Sequence, residues 1–400
     1  MENTCFVQNL KDLPKNLNVN TVSAGLLSGI FGITTSLIII GAGTSANLPE
    51  AKIISWIFST FFFGAVVGLI LTIKYRQPLP GAWSIPGAAL VAISLKQFPF
   101  SDMIGAYFVA GVIVFLLGAS GLMGRVIRLF PLPIVLAMIV GVLMSFGIGM
   151  ITSLKASPLV SGTAIGVYLL TYRYRDKVPP ILVAFVISGL VAVITNQFQL
   201  SHSSTAVILP QMEMPTFTIG AVISVAIPLA LLVICGEMPK AIGVLMSQGY
   251  KPPVNSITTA CGIGGMITSF FGGTNVNIAG PMAAICASPD SGKDPDSRYA
   301  SVLINAAIFG IFGLLASIAV PFVTALPKAL INTIAGLAMI NVLLTSLQNS
   351  FSVGKFQTGS FFALIISLSG VNFFGIAAPV WSLIGGITVS MLIERGDFKK

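Results

Sequence analysis

The chain has 400 residues, of which only 33 are charged, 21 Lys or Arg and 12 Asp or Glu; that is 8%, against roughly 25% in an ordinary globular chain. Apolar residues make up 55% and the mean hydropathy is +0.96. So few charges cannot cover a soluble surface of this size, which excludes a soluble enzyme, a disordered chain and a disulfide-built secreted domain and makes lipid the expected solvent. The net charge of +9 comes from basic residues scattered singly or in pairs between apolar runs. No basic stripe interleaved with aromatics appears, so nucleic acid is not an expected partner. Cys5, Cys235, Cys261 and Cys286 show no CxxC or other metal-type spacing, and the last three sit in apolar runs as small buried hydrophobes.

In chain order, 20 polar residues containing Pro14 precede the first apolar run, which reads as a retained span rather than a cleavable signal. Apolar runs between charged or Pro/Gly-rich breaks predict segments near 21–44, 52–73, 81–96, 102–120, 132–152, 156–172 and 179–196. Seven more follow near 217–238, 253–271, 274–288, 299–323, 327–347, 356–372 and 374–393. The expected fold class is an all-α polytopic membrane protein of 14 transmembrane segments, most of them reaching the ~20 residues that cross ~30 Å of hydrocarbon. The third and tenth are too short, and both are interrupted by Gly and Pro. Lys and Arg divide unevenly, 17 on one set of loops and tails and only Lys52, Lys96, Lys155 and Lys328 on the other. That asymmetry predicts both termini cytoplasmic in a multi-pass protein of the plasma (cytoplasmic) membrane. Arg125, Arg128, Arg173, Arg175 and Lys177 read as topology determinants, and His202, the only histidine, as a solvated residue of an external loop.

Seven is odd, so two homologous halves would be inverted relative to one another. Weak self-similarity at an offset near 194 residues supports this: Pro133 matches Pro327, with Gly141 and Gly336 following. The clearest match joins GAWSIPGAALVAIS (81–94) to GGTNVNIAGPMAAICAS (272–288), with Pro86-Gly87 against Gly280-Pro281. Each runs from glycine through an extended, polar-tinged stretch into an Ala-rich helical run. Extended backbone survives at membrane depth only where protein or a cavity satisfies its N–H and C=O groups. A half-helix that begins there points free N–H groups and a positive dipole end inward. Two such half-helices predict a substrate site near the midplane.

The runs YRQPLPGAWSIPGAAL (75–90), GYKPPV (249–254) and NIAGPMAAICASPDSGKDPDSRY (277–299) resemble the BenE benzoate/proton symporter family. FGITTS (31–36) and ALPKALINTIAGLAMI (325–340) extend the likeness over nearly the whole chain. That family is similar to the uracil-permease-like group, which implies two inverted repeats of seven spans with short strand-plus-half-helix segments 3 and 10. The resemblance implies a core (transport) domain of 21–130 and 217–325, a gate domain of 131–200 and 326–393, and cytoplasmic tails of 1–20 and 394–400. The sequence departs from the family at Cys235-Gly236-Glu237 and Met238-Pro239-Lys240, where Ser-Gln-Asn before Pro-Gly is usual, and at Thr274 and Asn275, where apolar residues are usual.

Glu237 is the main candidate for an intramembrane acid, since the other carboxylates fall in tails, loops or span ends. The uracil-permease-like group places a substrate-binding glutamate in the same span. Burial favours the protonated form, so Glu237 would bind substrate and carry the coupling proton. Lys240 at i+3 leaves open an ordinary ion pair at a helix end. Thr34, Thr35 and Ser36, midway along the first segment, offer hydroxyls either to substrate or to their own helix. Trp83 and Ser84 precede the first half-helix, where an aromatic plane suits a ring substrate or packs in the core. Asn275 and Asn277 alternate along the extended stretch and share a face, pointing into the site or holding a strand crossing. Cys235, beside Glu237 in the departing stretch, is a further substrate-binding candidate, and a substrate carboxylate would face the N–H groups at Gly87, Gly280 and Met282. Asp290, Asp294 and Asp296 are diluted by Lys293 and Arg298, so no metal is expected. No Walker motif, nucleophile elbow or zinc signature occurs, so neither catalysis nor a cofactor is expected, protons being the coupling ion. The expectation is a secondary transporter that takes up a small organic anion, most simply an aromatic carboxylate such as benzoate, with protons. A proton-coupled permease for a neutral nucleobase such as uracil or xanthine is the alternative. The expected partners are the small-molecule substrate, protons and the lipid bilayer, with a homodimer left open.

Overall fold

The computed structural model describes residues 6–123, 131–173, 180–198, 208–352, 354–374 and 376–398. Cys5, Arg125, Arg128, Arg175, Lys177 and His202 lie outside the described residues. Six of the helices long and apolar enough to cross a membrane are α1 (Val19–Ser45), α2 (Glu50–Tyr75), α4 (Phe100–Ser120), α5 (Leu132–Ala156), α8 (Ile219–Ser247) and α12 (Lys328–Phe351). The seventh among the described residues, Pro295–Leu314, joins a 3-10 turn at Pro295–Ala300 to the first part of α11 (301–324), which breaks at Leu315. Shorter apolar helices are α3 (Ile85–Ser94), α6 (Pro158–Tyr172), α7 (Pro180–Ile194), α13 (Gln357–Ser369) and α14 (Ala378–Ile393). Two further helices are α9 (Val254–Ser269) and α10 (Gly280–Ala287). The protein is thus a mostly helical polytopic membrane protein.

Proline sets many of the starts. Pro49, Pro99, Pro131, Pro253 and Pro327 occupy the N-caps of α2, α4, α5, α9 and α12. Proline lacks an N–H and cannot continue a helix backwards, so the chain turns there without losing a helical hydrogen bond. The start of α1 is polar instead: Asn18 and Thr21 cap each other reciprocally. α4 packs along α9, α2 along α11, α5 along α12 and α13, and α6 along α7. Glycines let the first pair approach, since a Cβ on Gly262 would overlap the Phe115 backbone.

The two short segments have the predicted strand-plus-half-helix form. β1 (Gly81–Ala82) pairs antiparallel with β2 (Asn277–Ile278), Gly81 opposite Ile278 and Ala82 opposite Asn277. The Ala279 N–H extends the ladder to the Pro80 carbonyl at 3.1 Å. β1 lies so close on α2 that a Cβ on Gly81 would overlap the Gly64 carbonyl, which requires glycine at that position. Thr72 Oγ1 both accepts from the Leu79 N–H and donates to its carbonyl, so the extended chain leaves little backbone unpaired. A hairpin of β3 (Asn372–Phe373) and β4 (Ile376–Ala377) adds a second strand pair that the all-α expectation did not include.

The eighth segment, expected to end at 238, continues to Ser247. It does so through two π-helical turns, Val222–Ala226 and Leu232–Glu237, each followed within two residues by a proline, Pro228 and Pro239. A proline donates no hydrogen bond and its ring displaces the carbonyl four residues earlier, and a widened turn accommodates both effects. Glu237 therefore sits within a helix rather than at its end.

Candidate functional site

The starts of α3 and α10 meet beside α1, α8 and α12 around a cavity of about 440 Å³, within the range of small-molecule sites. α1 contributes Phe31, Gly32 and Thr35, and α8 contributes Glu237, Lys240 and Val244. α12 contributes Asn341, Val342, Thr345 and Asn349. Trp83 and Phe309 close an aromatic wall; the Trp83 ring lies 4.4 Å from Phe61 and 6.1 Å from Phe309. The indole N–H of Trp83 is buried and has no hydrogen-bond partner among the described residues.

Glu237 closes the second π turn of α8, and Lys240 Nζ stands 3.8 Å from its carboxylate. Both line the cavity, the Glu237 side chain 12% and the Lys240 side chain 38% exposed. The two sequence readings of Glu237 therefore coincide in space: it belongs to an ion pair, and that pair faces the cavity.

The half-helices differ at their first turns. Ser84, the N-cap of α3, accepts the Gly87 N–H on its own Oγ at 3.1 Å. Ala279, the N-cap of α10, has no side-chain oxygen, and that first turn carries no side-chain cap. With Pro281 lacking an N–H, Gly280 and Met282 present the donors there, and both residues line the cavity.

Of the residues singled out in the sequence, Thr35, Trp83, Glu237, Gly280 and Met282 line the cavity, while Thr34, Ser84, Gly87, Cys235, Asn275 and Asn277 are not part of its lining. Thr34 and Thr35 donate to the carbonyls of Phe31 and Gly32, both at 2.6 Å, so their hydroxyl protons are already taken. Gly87 is displaced from the expected anion contact by the Ser84 cap. Asn275 accepts from the Ser84 N–H at 3.3 Å and from Thr274 Oγ1 at 3.0 Å, and donates to Asn277 Oδ1 at 3.0 Å. Asn275 thus ties the two extended stretches together, while the Asn277 side chain bonds within its own stretch, donating to the Ile278 carbonyl at 3.2 Å. Asn341, Thr345 and Asn349 were not anticipated. Their i, i+4, i+8 spacing places three polar groups on one stripe of α12, and that stripe was the available signal.

A family model described as benzoate membrane transport protein (BenE) matches residues 15–392. Inner membrane protein YdcO of Escherichia coli (strain K12) is 29% identical over 384 residues, covering 94% of this chain and 98% of that protein. Benzoate membrane transport protein of Acinetobacter baylyi is 24% identical over 394 residues, covering 96% and 98%. Among solved structures, the transmembrane domain of the cyanobacterial bicarbonate transporter BicA superposes with a TM-score of 0.64 at 14% identity, over 96% of this chain and 99% of that one. The murine Solute Carrier 26 family member A9 anion transporter, in its inward-facing state, gives 0.66 at 13% identity over 97% and 70%. At those identities the structural likeness concerns fold alone.

Proposed function

The chain belongs to the benzoate membrane transport protein (BenE) family, and from that premise we propose that it takes up a small aromatic carboxylate such as benzoate together with protons. The family is one of membrane transporters, so the cavity is read as a transport site rather than a catalytic one. The observation that carries the substrate reading is that Lys240, Glu237 and the uncapped Gly280–Met282 turn share one aromatic-walled cavity. The ring would lie against Trp83 and Phe309, and the carboxylate would accept hydrogen bonds from the free N–H groups of α10 and from the Lys240 ammonium. Two carboxylates cannot share that cation in an apolar cavity without repulsion. As substrate takes Lys240, Glu237 loses its counter-charge and takes up a proton, which links one substrate to one proton.

The wider architecture belongs to the same proposal: 14 spans in two inverted repeats, a core domain and a gate domain, cytoplasmic termini and an inner-membrane location. The likeness to YdcO and the distribution of Lys and Arg support the last two. The pairing of α4 with α9 and of α2 with α11, which a seven-span repeat exchanges, supports the first. Homodimerisation belongs to the same proposal.

Glu237→Gln tests the coupling. In proteoliposomes it should retain benzoate exchange but lose accumulation driven by a pH gradient, and full gradient-driven uptake would refute the role. The polar stripe Asn341, Thr345 and Asn349 favours a second reading, a neutral nucleobase whose ring N–H groups bond to the site. Competition by benzoate against uracil and xanthine separates the two.

A further inference from the structure

α1 and α12 run past two separate cavities. Nine residues before Asn341, which lines the transport cavity, α12 carries Asn332 at about 13 Å along the helix. Asn332 and Lys328 line a second opening of about 300 Å³ with Thr44, Asn47 and Lys96. An adjoining space of about 150 Å³ shares Ser45, Lys96 and Asn332 and reaches Ser145 of α5. Between the two cavities α1 and α12 are in tight apolar contact, since a Cβ on Gly41 would stand 3.3 Å from Ile331 and 3.5 Å from Ala335.

The charge in this second opening is one-sided. Lys96 and Lys328 are both exposed, no carboxylate lines either space, and neither lysine forms an ion pair among the described residues. Exposed lysines such as Lys155 and Lys251 are also unpaired among the described residues, but Lys96 and Lys328 share one opening. By contrast, Lys52 pairs with Glu213 at 2.8 Å, and buried Arg298 donates to the Gly292 and Ala287 carbonyls at 2.6 and 2.9 Å. Lys96 follows the C-terminus of α3 as Arg298 follows that of α10, yet it faces open space. Lys96 and Lys328 come from opposite walls of the crevice, one beyond α3 and the other opening α12. Beside them Asn372 Nδ2 donates to Gln97 Oε1 at 3.0 Å, clasping the β3–β4 hairpin to the same loop as Lys96.

We propose that Lys96 and Lys328 form an anion-recruiting site for the carboxylate substrate on the face opposite the Glu237 cavity. The two ammonium groups attract the carboxylate, and the amides of Asn332 and Asn47 offer donors around it. An anion bound between them neutralises both ammonium groups, so occupancy favours closing this face. The inference rests on the carboxylate reading of the transport cavity and adds a second site to it.

The test is benzoate transport in right-side-out and inside-out membrane vesicles, with Lys96→Gln/Lys328→Gln compared with the wild type. At low ionic strength each exposed charge contributes about threefold to attraction, so the double variant should raise the apparent KM about tenfold with Vmax unchanged. The effect should appear in one vesicle orientation only. It should shrink toward nothing at about 1 M salt, where screening reaches within ~3 Å. Lys96→Arg/Lys328→Arg should restore the wild-type KM. An unchanged KM in both orientations, a fall in Vmax at constant KM, or a salt-independent defect would overturn the site and leave the transport reading standing. Failure of the wild type to transport benzoate in either orientation would remove both.

Discussion

The two half-helices begin from nearly the same backbone and offer different chemistry. Ser84 has φ −83° and ψ 116°, and Ala279 has φ −86° and ψ 119°. A single oxygen separates them: Ser84 closes its own helix, whereas Ala279 leaves the first turn of α10 open to the cavity. A third helix start shows what an open turn accepts. At the start of α13, the Glu394 carboxylate takes the N–H groups of Thr358 at 2.7 Å and Gly359 at 3.1 Å, with Ser390 Oγ at 2.7 Å. The proposed substrate carboxylate would occupy the equivalent place on α10, supplied from outside instead of from the chain. A repeated framework can therefore keep one copy structural and turn the other into a binding element through one side chain.

The strongest way to break this comparison is to remove the cation beside the open turn. Lys240→Gln should weaken benzoate binding by about tenfold or more, the scale of a charged hydrogen bond, measured by calorimetry. Ala279→Ser should give α10 the cap that α3 already has. Its hydroxyl would compete for the Met282 N–H, weakening benzoate about three- to tenfold while leaving the fold equally or more stable. The reverse change, Ser84→Ala, should lower stability by about 1 kcal/mol in denaturant titration and leave benzoate affinity within about twofold. A large affinity loss there would mean that α3 also contacts the anion. Glu394 provides the smallest effect. Burial pushes its carboxyl up, but the hydrogen bonds from Ser390, Thr358 and Gly359 outweigh that and hold it below its ordinary value. A depressed carboxyl stabilises the fold above its unfolded value, and that contribution disappears as pH falls through the folded one. Glu394→Gln should therefore flatten the acid limb of thermal stability below about pH 5, with neutral-pH transport unchanged.

The half-helices were legible because glycine and proline interrupt them where a span needs unbroken apolar helix. Their inequality was legible too, in Ser84 against Ala279, but it acquires meaning only once both are placed at N-caps. The course of α8 was harder to read. Glu237, Pro239 and Lys240 resemble a helix end, and nothing local announces that a π turn absorbs the proline. Asn275 and Asn277 were legible as a pair on one face, either ligand groups or holders of the strand crossing, because buried amides need partners; only their placement shows Asn275 bonded to the Ser84 N–H and to Asn277. The stripe on α12 was overlooked for a different reason: its three polar residues contact the cavity only because α12 packs beside α1, a relation that sequence spacing does not encode.

Proton uptake on benzoate binding tests the central claim most directly, measured by calorimetry at neutral pH in buffers of different ionisation enthalpy. The account predicts about one proton taken up per benzoate by the wild-type protein, and none by Glu237→Gln, which still binds. Binding without proton uptake in the wild type, or undiminished uptake in the Gln variant, would contradict it.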